Sequence, residues 1–186
     1  MTGYIRHILG RVLALLILLT SHLLANAQES ETLFSGGITQ SPKAAGICAS
    51  IDKHDHISSF SIVADLYKVL NGDNGLPGVK MNYTVDIPIY QTISAKGNRY
   101  IWYAGPGVTA GVVRDFQSVM GVIGGLCGNI GFRTIFRDHF VVAAGFNADI
   151  AFHARESAEK GAIELKFYKN GIYRAMYPEV RLEYIF

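Results

Sequence analysis

The sequence predicts an all-β fold: a single eight-stranded antiparallel up-and-down transmembrane β-barrel behind a cleaved signal peptide. Three observations predict it. Apolar and polar residues alternate with period two through most of the chain, down to Val180, Leu182, Tyr184 and Phe186 set against Glu179, Arg181 and Glu183. That is the pattern of strands with one apolar and one polar face. Hardly any later segment carries a helical period, and the connections are short and rich in Gly, Asn, Asp and Lys. Parallel pairing would need crossovers of about a dozen residues or more, so the strands run antiparallel. Finally, the chain opens with an export signal.

That signal consists of Arg6 and Arg11, the apolar run Val12 to Leu19, and Ala25-Asn26-Ala27, with cleavage expected after Ala27. The run is shorter than the roughly 20 residues a membrane-spanning helix needs, which weighs against an uncleaved anchor. Residues 1–27 are thus read as signal peptide, 28–42 as a polar N-terminal leader with a short apolar piece at LFSGGI, and 43–186 as the barrel. The signal takes two of the 17 Lys+Arg and none of the 15 Asp+Glu, so basic and acidic residues balance in the remainder. No basic excess points to nucleic acid. Two cysteines are too few for a disulfide-built scaffold.

The strands follow in order. The first lies around KAAGICASID. SSFSIVADLYKVL sets Phe60, Ile62, Ala64 and Leu66 against Ser61, Asp65 and Tyr67, and NGDNGLPG turns the chain. KMNYTVDIPIY sets Met81, Tyr83, Val85, Ile87 and Ile89 against Lys80, Asn82, Thr84 and Asp86. After the loop ISAKGNR, YIWYAGPGVTAGVV is a strand interrupted near Gly105-Pro106-Gly107, and RDFQSVMG is either one helical turn or a loop. VIGGLCGNIGFRTIF sets Leu126, Ile130 and Phe132 against Cys127, Asn129 and Arg133. In FVVAAGFNADIAFH every second residue from Phe140 to Phe152 is apolar, opposite Asn147, Asp149 and His153. AIELKFY sets Ile163, Leu165 and Phe167 against Glu164 and Lys166, KNG is a hairpin signal, and the last strand follows. Pro88, Pro106 and Pro178 fall inside these strands, where each removes a ladder hydrogen bond. Bulges beside Gly105 and Gly107, or positions near a rim, would absorb them.

Alternation alone fits two barrels of opposite polarity. A soluble lipocalin-like barrel turns its apolar face inward around a small apolar ligand; an outer-membrane barrel turns it toward lipid. Three features favour lipid. The apolar faces are bulky and continuous over about nine to eleven residues, the length of a tilted membrane strand, whereas eight strands enclose room only for packed side chains or one small ligand. The opposite face mixes small residues with single charges of both signs: Asp65, Asp86, Arg133, Asp149, Glu164, Lys166, Arg181 and Glu183, beside Asn129 and Asn147. Such a set suits a closed lumen in which buried charges pair. Aromatic residues gather at strand ends, with Phe60, Tyr100, Trp102 and Phe140 assigned to one rim and Tyr83, Phe152, Tyr184 and Phe186 to the other. Two such girdles flank the apolar band of membrane barrels.

With these residues in view, notably GPGVTAGVV (Gly105–Val113) and the final segment Ala175–Phe186, the chain resembles the small eight-stranded outer-membrane β-barrel domain family of Gram-negative bacteria. The resemblance implies an outer-membrane location and a terminal signal, Val180, Leu182, Tyr184 and Phe186, read by the barrel assembly machinery. Outer-membrane lipids are the other expected partner, and a monomer is expected.

The expected function is structural, or one of binding at the surface or rim, with no cofactor and no catalytic residue. An even-stranded barrel keeps both ends in the periplasm. Counting KAAGICASID as the first strand puts four short basic loops outside, and Lys53, Lys96, Arg99, Arg137, Lys169 and Arg174 become candidate contacts for lipopolysaccharide phosphates. The enzymatic alternative, a lipid A-modifying hydrolase or acyltransferase, would need a Ser beside a His on the barrel wall. His153 reads as a buried polar group, and K-H-D-H at residues 53–56 is a weak metal signal. Cys48 and Cys127 point inward on opposite sides of the tube, out of disulfide reach. A lumen filled by side chains leaves no path for free diffusion.

Overall fold

Among the described residues nine strands form in chain order: β1 (Leu33–Gln40), β2 (Ala44–Asp52), β3 (Ile57–Asp65), β4 (Gly78–Ile93), β5 (Arg99–Arg114), β6 (Met120–Phe136), β7 (Phe140–Glu156), β8 (Ile163–Phe167) and β9 (Met176–Ile185). This computed structural model describes residues 32–53, 55–66, 77–114, 120–156, 162–168 and 176–186. Every pairing is antiparallel. Neighbours run β6-β5-β4-β3-β2-β1-β9-β7, and a β6–β7 ladder closes the ring. The barrel therefore has eight staves.

The count of eight holds, but its membership differs from the sequence reading. The segment read as leader supplies β1, which pairs with β2 on one side and β9 on the other. β8 and β9 share one stave: β8 lies against the end of β7 (Phe152–Phe167) and β9 against its beginning (Phe140–Tyr184). LFSGGITQ has too few bulky residues to announce a strand; its two unsatisfied neighbours make it one. The signal peptide and most of RDFQSVMG lie outside the described residues.

Stagger follows from the register. Phe186 donates its backbone N–H to the Phe34 carbonyl. From Phe34 the partners run to Ile51, Ser58 and Val85. They cross β5 at Pro106, continue to Gly128 and Ala148, and return to the eighth stave at Met176. One circuit thus shifts the register by ten residues, 186 less 176. Such a stagger goes with strands tilted by about 35–45° and an interior that side chains can fill.

The prolines sit where the ladder is already interrupted. Pro88 flanks the register shift between Pro88 and Tyr90, and Pro106 lies where β4–β5 pairing lapses between Thr84–Gly107 and Ile87–Ala104. On β9, Phe186 directs its N–H toward β1 and Ile185 toward His139. Even-numbered residues thus face β1, whose last pair is Gln40–Val180, so Pro178 removes no bond. Arg137 and Asp138, both at positive φ (49° and 60°), are the central residues of a turn closed by the His139 N–H on the Phe136 carbonyl, within the connection 137–139 between β6 and β7.

The two rims differ. Both chain ends of the barrel, Leu33 and Phe186, share one rim with the turns at 53–56, 94–98 and 137–139. The other rim carries the turn 41–43. At this far rim β5 to β8 stand well beyond β1, which stops at Gln40.

Candidate functional site

The barrel interior is the candidate site, because every stave sends its polar parity there. Buried polar residues include Ser35, Asp52, Ser59, Lys80, Asn82, Thr84, Asp86, Asn129, Arg133, Asn147, Asp149, Glu179, Arg181 and Glu183. The outward parity is the reverse: Ile38, Ile47, Trp102, Leu126, Ile150 and Leu182 are among the large exposed hydrophobic residues. Along the outward face of the eight staves the first formal charges met are Arg114 and Glu156, at the far rim. On β5 the uncharged outward run from Tyr100 to Val112 covers about 30 Å of height at the tilt above.

Within the lumen, polar groups lie between two apolar layers. Ile57, Ile101, Ile135, Val141 and Ile185 pack together with Leu33 at the rim of the chain ends. Val113, Ile123, Ala151 and Tyr168 pack together toward the far rim. Three ion pairs occupy the middle. Lys80 Nζ stands 2.5 Å from Asp149 Oδ2 and donates to the Tyr177 hydroxyl at 2.8 Å. Tyr177 also accepts from Asn82, which accepts in turn from Thr109. Arg181 Nε donates to Glu179, whose second oxygen accepts from Asn147 at 2.7 Å. Arg133 lies 3.6 Å from Glu183, and Ser35 bridges them, donating to Glu183 and accepting from Arg133.

A fourth carboxylate, Asp86, has hydroxyls and an amide around it rather than a cation. Its Oδ2 accepts from Ser59 at 3.4 Å, Thr84 at 3.4 Å and Asn129 at 3.3 Å. Small residues make room for the larger ones. A Cβ on Gly131 would lie 2.6 Å from the Tyr103 hydroxyl, so the buried Tyr103 ring crosses the lumen over bare backbone.

Of the residues expected in the lumen, Asp86, Asn129, Arg133, Asn147, Asp149, Arg181 and Glu183 are buried there. Asp65 is half-buried at the far rim. Glu164 and Lys166 are the correction. They keep the lumen-side parity of their partners Arg155 and His153, yet they stand beyond the end of β1, with no opposite wall to bury them. Their side chains are 36% and 47% exposed and pair with each other and with Arg155. Lys80, Tyr177, Glu179, Ser35 and Tyr103 belong to the interior and were not singled out from sequence. For Lys80 and Glu179 the signal was present, since each shares the parity of a chosen neighbour.

The basic loops also change sides. With LFSGGITQ as the first stave, the turns bearing Lys53, Lys96, Arg99 and Arg137 fall on the rim of both chain ends. The expectation placed these loops on the rim opposite the chain ends, and for Lys53, Lys96, Arg99 and Arg137 the structure has them on the same rim instead. Lys169 and Arg174 lie outside the described residues. The aromatic girdles need the same correction. Tyr184 and Phe186 join Phe140 on one rim, with Phe140 and Tyr184 ring centroids 5.4 Å apart, because antiparallel neighbours bring the end of one strand to the start of the next. Phe152 is at the far rim with Phe167, while Tyr83 and Phe60 are register partners part-way along their strands.

Val180, Leu182, Tyr184 and Phe186 all face outward and are exposed. Cys48 and Cys127 are buried and unbonded, on β2 and β6, four staves apart. His153 Nε2 faces the Val113 carbonyl at 3.1 Å, and its ring stacks on Tyr168. His56 meets Asp55 at 2.7 Å in an exposed turn, and this hydrogen bond holds the Asp55 carboxyl below its usual range. Among the described residues no three His, Cys, Asp or Glu side chains converge on a metal-sized point.

An internal cavity under the far rim, lined by Thr39, Val63, Lys80, Tyr168, Tyr177 and Glu179 among others, has a volume of about 40 Å³. That is room for water, far below the several hundred Å³ of a ligand pocket. With its apolar side chains outside and its interior polar and filled, the barrel lacks the lining and space of the lipocalin-like alternative.

No family model matches the chain, and no curated protein matches it. Among solved structures it is similar to the N-terminal β-barrel domain of Pseudomonas aeruginosa OprF. The two share 13% identity and a TM-score of 0.46, over 84% of this chain and 98% of that one.

Proposed function

We propose that this chain is a non-enzymatic integral outer-membrane barrel. It adds a rigid, sealed stave ring to the cell envelope and offers its rims to partners. One observation carries the reading: an outward face without formal charge over about 30 Å, wrapped around a lumen of paired ions. Water would leave that face unsolvated, whereas a bilayer's hydrocarbon core, about 30 Å thick, matches it. Closure of the ring supports the same reading, since it satisfies the strand backbones without water. The exposed alternation ending at Phe186 supports recognition by the barrel assembly machinery, and the export signal supports passage across the inner membrane. The interior favours a structural role over catalysis: its buried Lys80, Arg133 and Arg181 are each paired with an acid.

Membrane fractionation with gel migration tests it. The protein should sediment with outer membranes, resist carbonate extraction, and migrate differently before and after boiling in detergent. A monodisperse protein purified without detergent would refute it. Deleting Phe186 should lower the folded, heat-modifiable fraction in cells while refolding in detergent from urea persists. Equal loss in both settings would assign Phe186 to stability rather than to assembly.

A further inference from the structure

We propose that the lumen binds one monovalent alkali cation, Na⁺, at Asp86, with the Ser59 and Thr84 hydroxyls supplying neutral oxygen ligands. Charge balance is the first reason. Among the described residues the buried acids are Asp52, Asp86, Asp149, Glu179 and Glu183, and the buried Lys and Arg are Lys80, Arg133 and Arg181. Each of these cations is committed to one acid, Asp149, Glu183 and Glu179 respectively. Arg181 exerts its field on Asp86 but spends its Nε bond on Glu179. A carboxylate with 1% exposure and no ion-pair partner among the described residues takes either a counter-charge or a proton in such a medium.

Geometry is the second reason. The Ser59 and Thr84 hydroxyl oxygens each stand 3.4 Å from Asp86 Oδ2, too long for good O–H···O hydrogen bonds, which cluster near about 2.8 Å. Oxygens ligating a hard cation at about 2.3–2.6 Å stand roughly 3.4 Å apart where they subtend a right angle. Orphaned oxygens are the third. Asp86 Oδ1, Asn129 Oδ1 and the hydroxyls of Ser50 and Ser61 are buried without a hydrogen-bond partner. Ser50, Ser59 and Thr84 are successive register partners across β2, β3 and β4, with Asp86 the next inward residue on β4. The donors are hard oxygens carrying a single negative charge, which suits a monovalent ion better than Ca²⁺ or Mg²⁺, whose sites usually add further carboxylates or phosphates.

Urea unfolding of the full protein in detergent micelles, followed by the fluorescence of its one tryptophan, Trp102, tests this site independently of membrane location. The probe is NaCl exchanged for choline chloride at constant ionic strength. Above the dissociation constant, a tenfold rise in Na⁺ should raise the folded-to-unfolded ratio about tenfold. Asp86→Asn should abolish the dependence, and Asp52→Asn should leave it. Should Asp86→Asn fail to fold, Ser59→Ala keeps the charge, removes one ligand and should move the response to higher Na⁺. A wild-type midpoint identical in both salts would overturn the proposal, leaving Asp86 with a proton or water. A Na⁺ response surviving in Asp86→Asn would overturn the assignment to this residue.

Discussion

Lys80 joins more of the lumen than any other cation. Its ammonium contacts Asp149 and the Tyr177 hydroxyl and lies 4.3 Å from the Tyr177 ring centroid. A buried pair adds little over a well-packed apolar replacement, but removing one partner strands a charge. Lys80→Met should therefore lower unfolding stability in micelles by roughly 3–5 kcal/mol, and adding Asp149→Leu should recover most of it. A double variant no more stable than Lys80→Met would show that packing, not the stranded carboxylate, set the loss. At this scale parity was legible and partnership was not. The alternation around Asp86 and Arg181 assigned Lys80 and Glu179 to the polar face, but which acid meets which base depends on staves far apart in the chain, such as β4 and β7.

At the scale of elements, β1 is the strand that closes the ring. It is short, with glycines at 36 and 37, and its ladder to β9 runs only from Ser35–Ile185 to Gln40–Val180. Without it β2 and β9 would present unpaired edges to lipid, which the hydrocarbon region does not tolerate. A chain starting at Ser41 should give no heat-modifiable species on refolding, whereas one starting at Thr32 should fold like the parent; equal folding of both would remove β1 from the closure. The strongly alternating stretches, above all Phe140–Phe152, were readable because apolar residues fill every outward position. LFSGGITQ was not, since its strand state comes from two partners, one of them at the opposite end of the chain. AIELKFY and the final strand were each legible as strands, but that they share one stave is a matter of register against β7.

For the whole molecule, two apolar layers enclose a polar middle. The layer of Ile57, Ile101, Ile135, Val141 and Ile185 and the layer of Val113, Ile123, Ala151 and Tyr168 bracket a lumen whose described residues leave a water-sized cavity. Reconstituted in planar bilayers, the protein should show no stepwise conductance, and recurrent unitary steps from folded protein would contradict a sealed lumen. The sequence by itself determined that the chain is built of antiparallel strands with one continuous apolar parity, because both properties repeat locally every two residues. Only the tertiary structure decided which segments make the eight staves, which rim holds the chain ends and their basic turns, and which lumen charges meet. Those depend on closure, a condition imposed by residues at opposite ends of the chain that no local pattern encodes.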